Sequence, residues 1–204
     1  MKSVIIVDYG MGNVRSVWNA FKSLGAQPKI GSDPEDIKRS DAIVLPGVGA
    51  FGEAMKNLRS QNLVDPLRKL VLGEGKPFLG ICLGLQLLAE DSEELGHHSG
   101  LSWIKGSVKG LPQCKGHHVP HVGWNVVEQE EDSILYKNLP AQSSFYFDHS
   151  FYLGSEDEIV KGRVEVGKPV VASIESKNVF ATQFHPEKSQ VSGLRLLRNF
   201  LNYI

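Results

Sequence analysis

Three short runs, residues 4–7, 42–45 and 77–81, carry apolar residues with almost no polar interruption and end at Asp8-Tyr9-Gly10, Pro46-Gly47 and Cys82-Leu83-Gly84. This feature constrains the chain most. A strand with one wet face alternates polar and apolar residues, whereas an uninterrupted run is buried on both faces, the habit of strands in a parallel sheet covered by helices. The segments between the runs have helical spacing. Val14, Val17, Phe21 and Leu24 recur on one face, as do Phe51, Met55 and Leu58, then Leu67, Leu70 and Val71 behind an expected N-cap and first helical position at Asp65-Pro66. Residues 83–89 read as helix again. Beyond residue 100 the pattern changes. Residues 103–108, 119–127, 144–153, 159–166, 170–174 and 179–184 read as strands with short turns, and Leu194, Leu197 and Leu201 close the chain as a helix. The expected fold is α/β, a three-layer sandwich around a mostly parallel central sheet with a β-rich second half, in one domain spanning 1–204. Ligands in such folds gather at the carboxyl ends of strands, here the loops at 8–13, 46–49 and 81–84.

Charge narrows the partners. Lys plus Arg number 22 and Asp plus Glu 23, a formal net charge of −1, so nothing in the totals attracts nucleic acid or an anionic membrane. No stretch approaches the ~18–20 apolar residues of a membrane helix, and the opening MKSVIIVDYG is too short an apolar run for a signal peptide. The two cysteines, Cys82 and Cys114, make neither a disulfide scaffold nor a zinc spacing, which leaves a cytoplasmic chain with reduced thiols as the expectation.

Gly80-Ile81-Cys82-Leu83-Gly84 has the shape of a nucleophile elbow at a strand-to-helix junction. The glycines permit a sharp turn, the helix entrance favours a thiolate, and the Leu83 N–H would face a developing oxyanion. The plain alternative is a buried, inert cysteine. A thiol nucleophile wants a base, and the base an orienting group. His185 ends an apolar run and precedes Pro186 and Glu187, so one strand end offers an imidazole and a carboxyl together. The pairs His97-His98 and His117-His118 lack the further ligands a metal site needs. Pro46-Gly47-Val48-Gly49 could aim a second oxyanion donor from another strand end, or be an ordinary turn. Glu94, in an acidic run, is either a solvated turn residue or a holder for a substrate amine. Gly10-Met11-Gly12-Asn13-Val14-Arg15 fails the dinucleotide pattern at bulky Arg15 and reads as a turn or a recognition loop. In residues 120–125, Pro120 and Gly123 argue for a loop presenting Trp124 and Asn125.

Together these segments resemble the class I glutamine amidotransferases, whose glutaminase domains carry a Cys-His-Glu triad. GICLGLQLL around Cys82 and QFHPEKS around His185 and Glu187 carry the family pattern. DYGMGN, PGVGAFGEAM, PHVGWN and FYFDHSFY are similar to the subgroup that feeds a (β/α)8-barrel cyclase in histidine biosynthesis. The resemblance implies that Cys82 attacks the glutamine amide, that His185 protonates the leaving ammonia and later activates water, and that Glu187 orients His185. It places the oxyanion at Leu83 and at Val48 and Gly49, in a loop expected to rearrange first. Gln86, Glu94, His149 and Ser150 match glutamine-contacting positions, Glu94 for the α-amino group. Asn13, Trp124, Asn125 and Lys188 match positions facing the cyclase, the partner in a heterodimer that forms imidazole glycerol phosphate and aminoimidazole carboxamide ribotide. No metal or organic cofactor is implied. Val122, Asp148, Val166 and His117 depart from residues common in the subgroup. Three alternatives stay open: a partner that amidates surface sugars, an inactive glutaminase-fold binding module, and a cysteine peptidase on a similar fold.

Overall fold

A computed structural model describes residues 1–114, 118–155 and 158–204; His117 lies outside them. In chain order the elements are β1 (Ser3–Val7), α1 (Val14–Ser23), β2 (Gln27–Gly31), α2 (Pro34–Arg39), β3 (Ala42–Gly47), α3 (Phe51–Ser60), α4 (Val64–Arg68), β4 (Phe78–Cys82) and α5 (Leu83–Gln86). There follow β5 (Asp91–Ser92), β6 (His98–Ser99), β7 (Ser107–Gly110), β8 (His121–Gln129), β9 (Ser144–His149), β10 (Phe151–Gly154), β11 (Val160–Glu165), β12 (Pro169–Ser176), β13 (Val179–Thr182) and α6 (Gln190–Tyr203).

Nine strands form the main sheet in the order β2-β1-β3-β4-β13-β12-β11-β8-β9. The first five run parallel, and from β13 onward every pairing is antiparallel. The three uninterrupted apolar runs are β1, β3 and β4. Every residue of β3 and β4 is buried. Alternate residues feed two cores: Ile5, Ile43 and Leu45 pack with Phe51, Met55 and Leu58 of α3, and Val4, Val44 and Leu79 pack with Phe21 of α1 and Phe200 of α6. This is the expected sandwich, its central sheet mixed rather than mainly parallel. A smaller sheet, β10-β7-β5-β6, lies apart from it in pairing.

Several local expectations are revised. β2 and α2 were not expected, because edge strand QPKIG is half-exposed and carries a proline instead of an apolar run. α2 nevertheless has clear start signals, Asp33 accepting from the Glu35 N–H at 2.9 Å and Pro34 following. At 65–66 the helix starts earlier than expected. Buried Leu63 occupies the cap, Asp65 sits in the first turn, and Pro66 is tolerated there because first-turn N–H groups have no intrahelical acceptor. Helix α5 stops at Gln86. The 103–108 strand is shifted to β7, and the 144–153 run breaks at Ser150 into β9 and β10, which serve different sheets.

Residues 121–129 form a strand, as expected over 119–127, and not the presenting loop that Pro120 and Gly123 suggested. Pro120 stands before the first paired residue, and Gly123 takes φ +136° while still opposing Phe147. Strand alternation then sends Trp124 and Asn125 to opposite faces. Among the described residues no helix is long and apolar enough to cross a membrane.

Candidate active site

The register of the parallel strands assembles the site. In β4, Cys82 is the last residue; on one side it opposes Gly47 of β3, and on the other Ile81 opposes Thr182 of β13. The strand carrying the thiol is therefore flanked by the strand that runs into Val48 and Gly49 and by the strand that runs into His185. Cys82 has φ +54°, a strained backbone for a residue with a side chain, and Leu83 opens α5 immediately after it. The flanking glycines are sterically required. A Cβ at Gly80 would lie 2.7 Å from the Gly84 carbonyl oxygen, and one at Gly84 would collide with the Leu45 carbonyl oxygen.

His185 Nδ1 lies 2.9 Å from Glu187 Oε1, and its imidazole interacts electrostatically with Cys82. The two partners of this ion pair are 3% and 2% exposed at their side chains, so water hardly screens it. The backbone is held as firmly: the His185 N–H donates to the Tyr146 carbonyl at 2.9 Å, and Ser189 Oγ donates to the His185 carbonyl at 2.6 Å. Burial works against an imidazolium here, but the hydrogen bonds and charges of Cys82 and Glu187 outweigh it and raise His185 to about 10.

A cavity of about 390 Å³ opens in front of the sulfur. Its walls include Val48, Gly49, Cys82, Leu83, Gln86, Glu94, His149 and Ser150, so the expected nucleophile, oxyanion and substrate positions share one pocket. Glu94 is not a solvated turn residue: its Oε2 accepts from the Phe51 N–H at 2.7 Å and supplies the cap that Ala50 cannot give α3. Burial chiefly lowers His149, to about 4, with His121 and His185 adding to the effect, so it is neutral beside a charged His185. Among the described residues no cluster of three or more His, Cys, Asp or Glu is placed to hold a metal.

The expected partner-facing residues are not brought together in the same way. Trp124 is half exposed and meets Tyr146 edge-on at 6.1 Å, and Lys188 Nζ sits 5.5 Å above the same Tyr146 ring. Asn125 points to the other face and donates to the Glu165 carbonyl at 3.1 Å. Asn13 caps α1, accepting from the Ser16 N–H.

Two contributors were missed. Gln183, wholly buried, donates to Cys82 Sγ at 3.7 Å and accepts from Gln86 Nε2 at 3.1 Å. A glutamine inside an apolar strand end was its only signal. Tyr9 is buried with its hydroxyl against Gly47, and burial together with the charge at Cys82 raises its phenol well above the usual value.

A strained thiol at a strand end, electrostatically coupled to an imidazole that is itself fixed by a buried carboxylate, is the equipment of a thiol-dependent acyl-transfer enzyme. The chain belongs to the class I glutamine amidotransferases, whose family, "Glutamine amidotransferase class-I", matches residues 5–203. It is 44% identical over 198 residues to the imidazole glycerol phosphate synthase subunit HisH 1 of Campylobacter jejuni strain RM1221, covering 97% of this chain and 98% of that protein. It is 48% identical over 198 residues to subunit HisH of Aquifex aeolicus, covering 96% and 94%. The solved structure of PurLQS from Thermotoga maritima superposes with a TM-score of 0.75 over 100% of this chain and 99% of that one, at 21% identity, a likeness of fold alone.

Proposed function

We propose that this chain is the glutaminase subunit of an imidazole glycerol phosphate synthase in histidine biosynthesis, and that it hydrolyses glutamine to glutamate and ammonia. Cys82 at the pocket, next to an imidazole that Glu187 holds at 2.9 Å, supports this most directly. The Cys82 sulfur attacks the side-chain carboxamide carbon, and the C=O electrons move onto oxygen as a tetrahedral oxyanion. The Leu83 N–H, at the entrance to α5, and the backbone at Val48 and Gly49 are the candidate donors to it. Collapse breaks the C–N bond, His185 gives its proton to the departing nitrogen, and a thioester remains on Cys82. His185, neutral again, takes a proton from water, which attacks the thioester and frees glutamate and the sulfur. Glu187 keeps the imidazole in the tautomer that presents Nε2 to these protons. Gln86, Glu94, His149 and Ser150 hold the amino-acid end of the substrate, Glu94 facing its ammonium.

Ammonia needs a second active site. The half-exposed Trp124 beside Tyr146 and Lys188 forms an aromatic and cationic face of the kind protein interfaces use as anchors. The relatives at 44% and 48% identity are named as subunits of imidazole glycerol phosphate synthase, which favours a (β/α)8-barrel cyclase over a sugar-amidating synthase as the partner. The test is glutamate release by the chain with and without such a barrel carrying its ribotide ligand. Glutamine hydrolysis that rises on addition of the barrel is expected. No hydrolysis with the barrel present would defeat the proposal.

A further inference from the structure

Behind the pocket, outside its lining, stands a second imidazole that the mechanism above does not use. His121 opens β8 directly opposite His149, the last residue of β9. Its ring stacks on Phe147 at 4.8 Å and 29°, and its Nδ1 lies 3.0 Å from His149 Nε2. The direction of this bond follows from what surrounds it. His149 Nδ1 is 2.8 Å from the Phe151 carbonyl oxygen, which can only accept, so the proton of His149 is on Nδ1. A neutral His149 then has a lone pair on Nε2, and His121 Nδ1 must be the donor. Asn125 Nδ2 lies 3.4 Å from His121 Nε2, the arrangement that keeps a lone pair there. The same Phe151 carbonyl accepts a second bond, from Gln86 Nε2 at 2.9 Å, and Gln86 continues through Gln183 to the sulfur.

We propose that His121 is a positioning residue of the glutamine site: its Nδ1–H holds the ring of His149 against the Phe151 carbonyl and so, through that shared carbonyl, holds the pocket wall that includes Gln86. The inference rests on the glutaminase reading above and deepens it. Without the donor, His149 Nε2 is a buried acceptor with nothing to accept from His121, and the cheapest relief is for the ring to swing toward water in the pocket. That move gives up the bond to the Phe151 carbonyl and loosens the wall, while Cys82, His185 and Glu187 keep their own contacts. The loss therefore falls on substrate affinity and spares the chemical step. The line also ends at Asn125 on β8, whose neighbour Trp124 lies on the exposed face, so the strand that bears the proposed anchor is also tied to the pocket wall.

Two polar variants separate this role from a merely structural one. In His121→Asn the amide nitrogen can take the place of Nδ1 and keep donating, whereas in His121→Gln it takes the place of Nε2 and cannot. The full-length chain in complex with the cyclase barrel and its ribotide ligand is treated with a diazoketone analogue of glutamine that alkylates Cys82, and the half-saturating concentration is read separately from the limiting rate. His121→Gln is expected to raise the half-saturating concentration about tenfold with the limiting rate changed less than about twofold, and His121→Asn to remain within about threefold of the wild type. Nitrogen-15 spectra should show His149 as the single Nδ1–H tautomer in the wild type and in His121→Asn, and as a mixture in His121→Gln. Asn and Gln variants that behave alike, or an unchanged His149 tautomer in His121→Gln, would overturn the inference while leaving the glutaminase reading intact. A wild-type complex in which the analogue never modifies Cys82 would instead defeat the glutaminase reading on which the inference rests.

Discussion

The two ends of the main sheet are built for opposite purposes. In the parallel half, β3 and β4 are buried along their whole length, and that packing sustains a positive φ at Cys82 and a carboxylate–imidazole pair almost out of contact with water. In the antiparallel half, β8 buries little. Val122, Trp124 and Val126 alternate outward at 54%, 50% and 40% exposure, while His121 and Asn125 turn inward to the pocket wall and the neighbouring strand. Rigidity at one end serves chemistry, because a strained nucleophile persists only where its surroundings over-determine it. An apolar but exposed face at the other end is unfinished surface, and its neighbours on the inner face are already wired to the pocket.

The comparison breaks most visibly at the carboxylate. Glu187→Gln should lower glutamine turnover by about 10³-fold or more, since the imidazole loses both its preferred tautomer and its charge partner. Steady-state rates on a chain with unchanged circular dichroism check this. Next in size is Gly84→Ala. Its methyl would meet the Leu45 carbonyl, and the expected cost is about 3 kcal/mol in urea unfolding, or failure to fold. Gly73→Ala, with nothing within 4 Å of the added carbon, should stay within about 0.5 kcal/mol. At the other end of the sheet the order of effects reverses. Trp124→Ala should barely move the melting temperature of the free chain, yet weaken binding to the cyclase barrel by about 10–100-fold, measured by calorimetry.

pH acts on stability through the same two rings, in opposite directions. His185 is raised from 6.5 to about 10 in the folded chain. The stability it contributes is therefore fully present below pH ~6.5 and is lost as pH climbs through about 10. His149 is depressed from 6.5 to about 4, so its contribution is present above pH ~6.5 and is lost as pH falls toward 4. Urea midpoints across the range should show both limbs, the alkaline one the larger because its shift is the larger. His185→Gln should remove the alkaline limb and His149→Asn the acid one. A single variant that removed both would mean the two rings do not titrate as separate environments dictate.

How much of this was legible beforehand differs between the same two regions. Uninterrupted apolar runs expose the parallel half to direct reading, and the elbow glycines around Cys82 are a local steric demand that any sequence must display. β2 escaped because an edge strand with one proline and half-exposed side chains has no apolar run to show. The β8 segment misled because Pro120 and Gly123 are turn residues in isolation, while pairing with β9 is a tertiary matter that the local pattern does not encode. Within the site, the strand ends indicated Cys82, His185 and Glu187, and resemblance indicated Gln86, His149 and Ser150. What no local pattern could show is partnership: that Glu94 caps α3 from a distant turn, that Gln183 reaches the sulfur, or that His121 steers the ring of His149.

The most direct measurement is glutamate release by Cys82→Ala in the presence of the cyclase barrel, with complex formation checked in the same sample. Because the sulfur forms the bond on which every later step depends, the complex should assemble normally while glutamine turnover drops to the uncatalysed background. Turnover at the wild-type rate from an assembled Cys82→Ala complex would contradict a reaction carried by this sulfur.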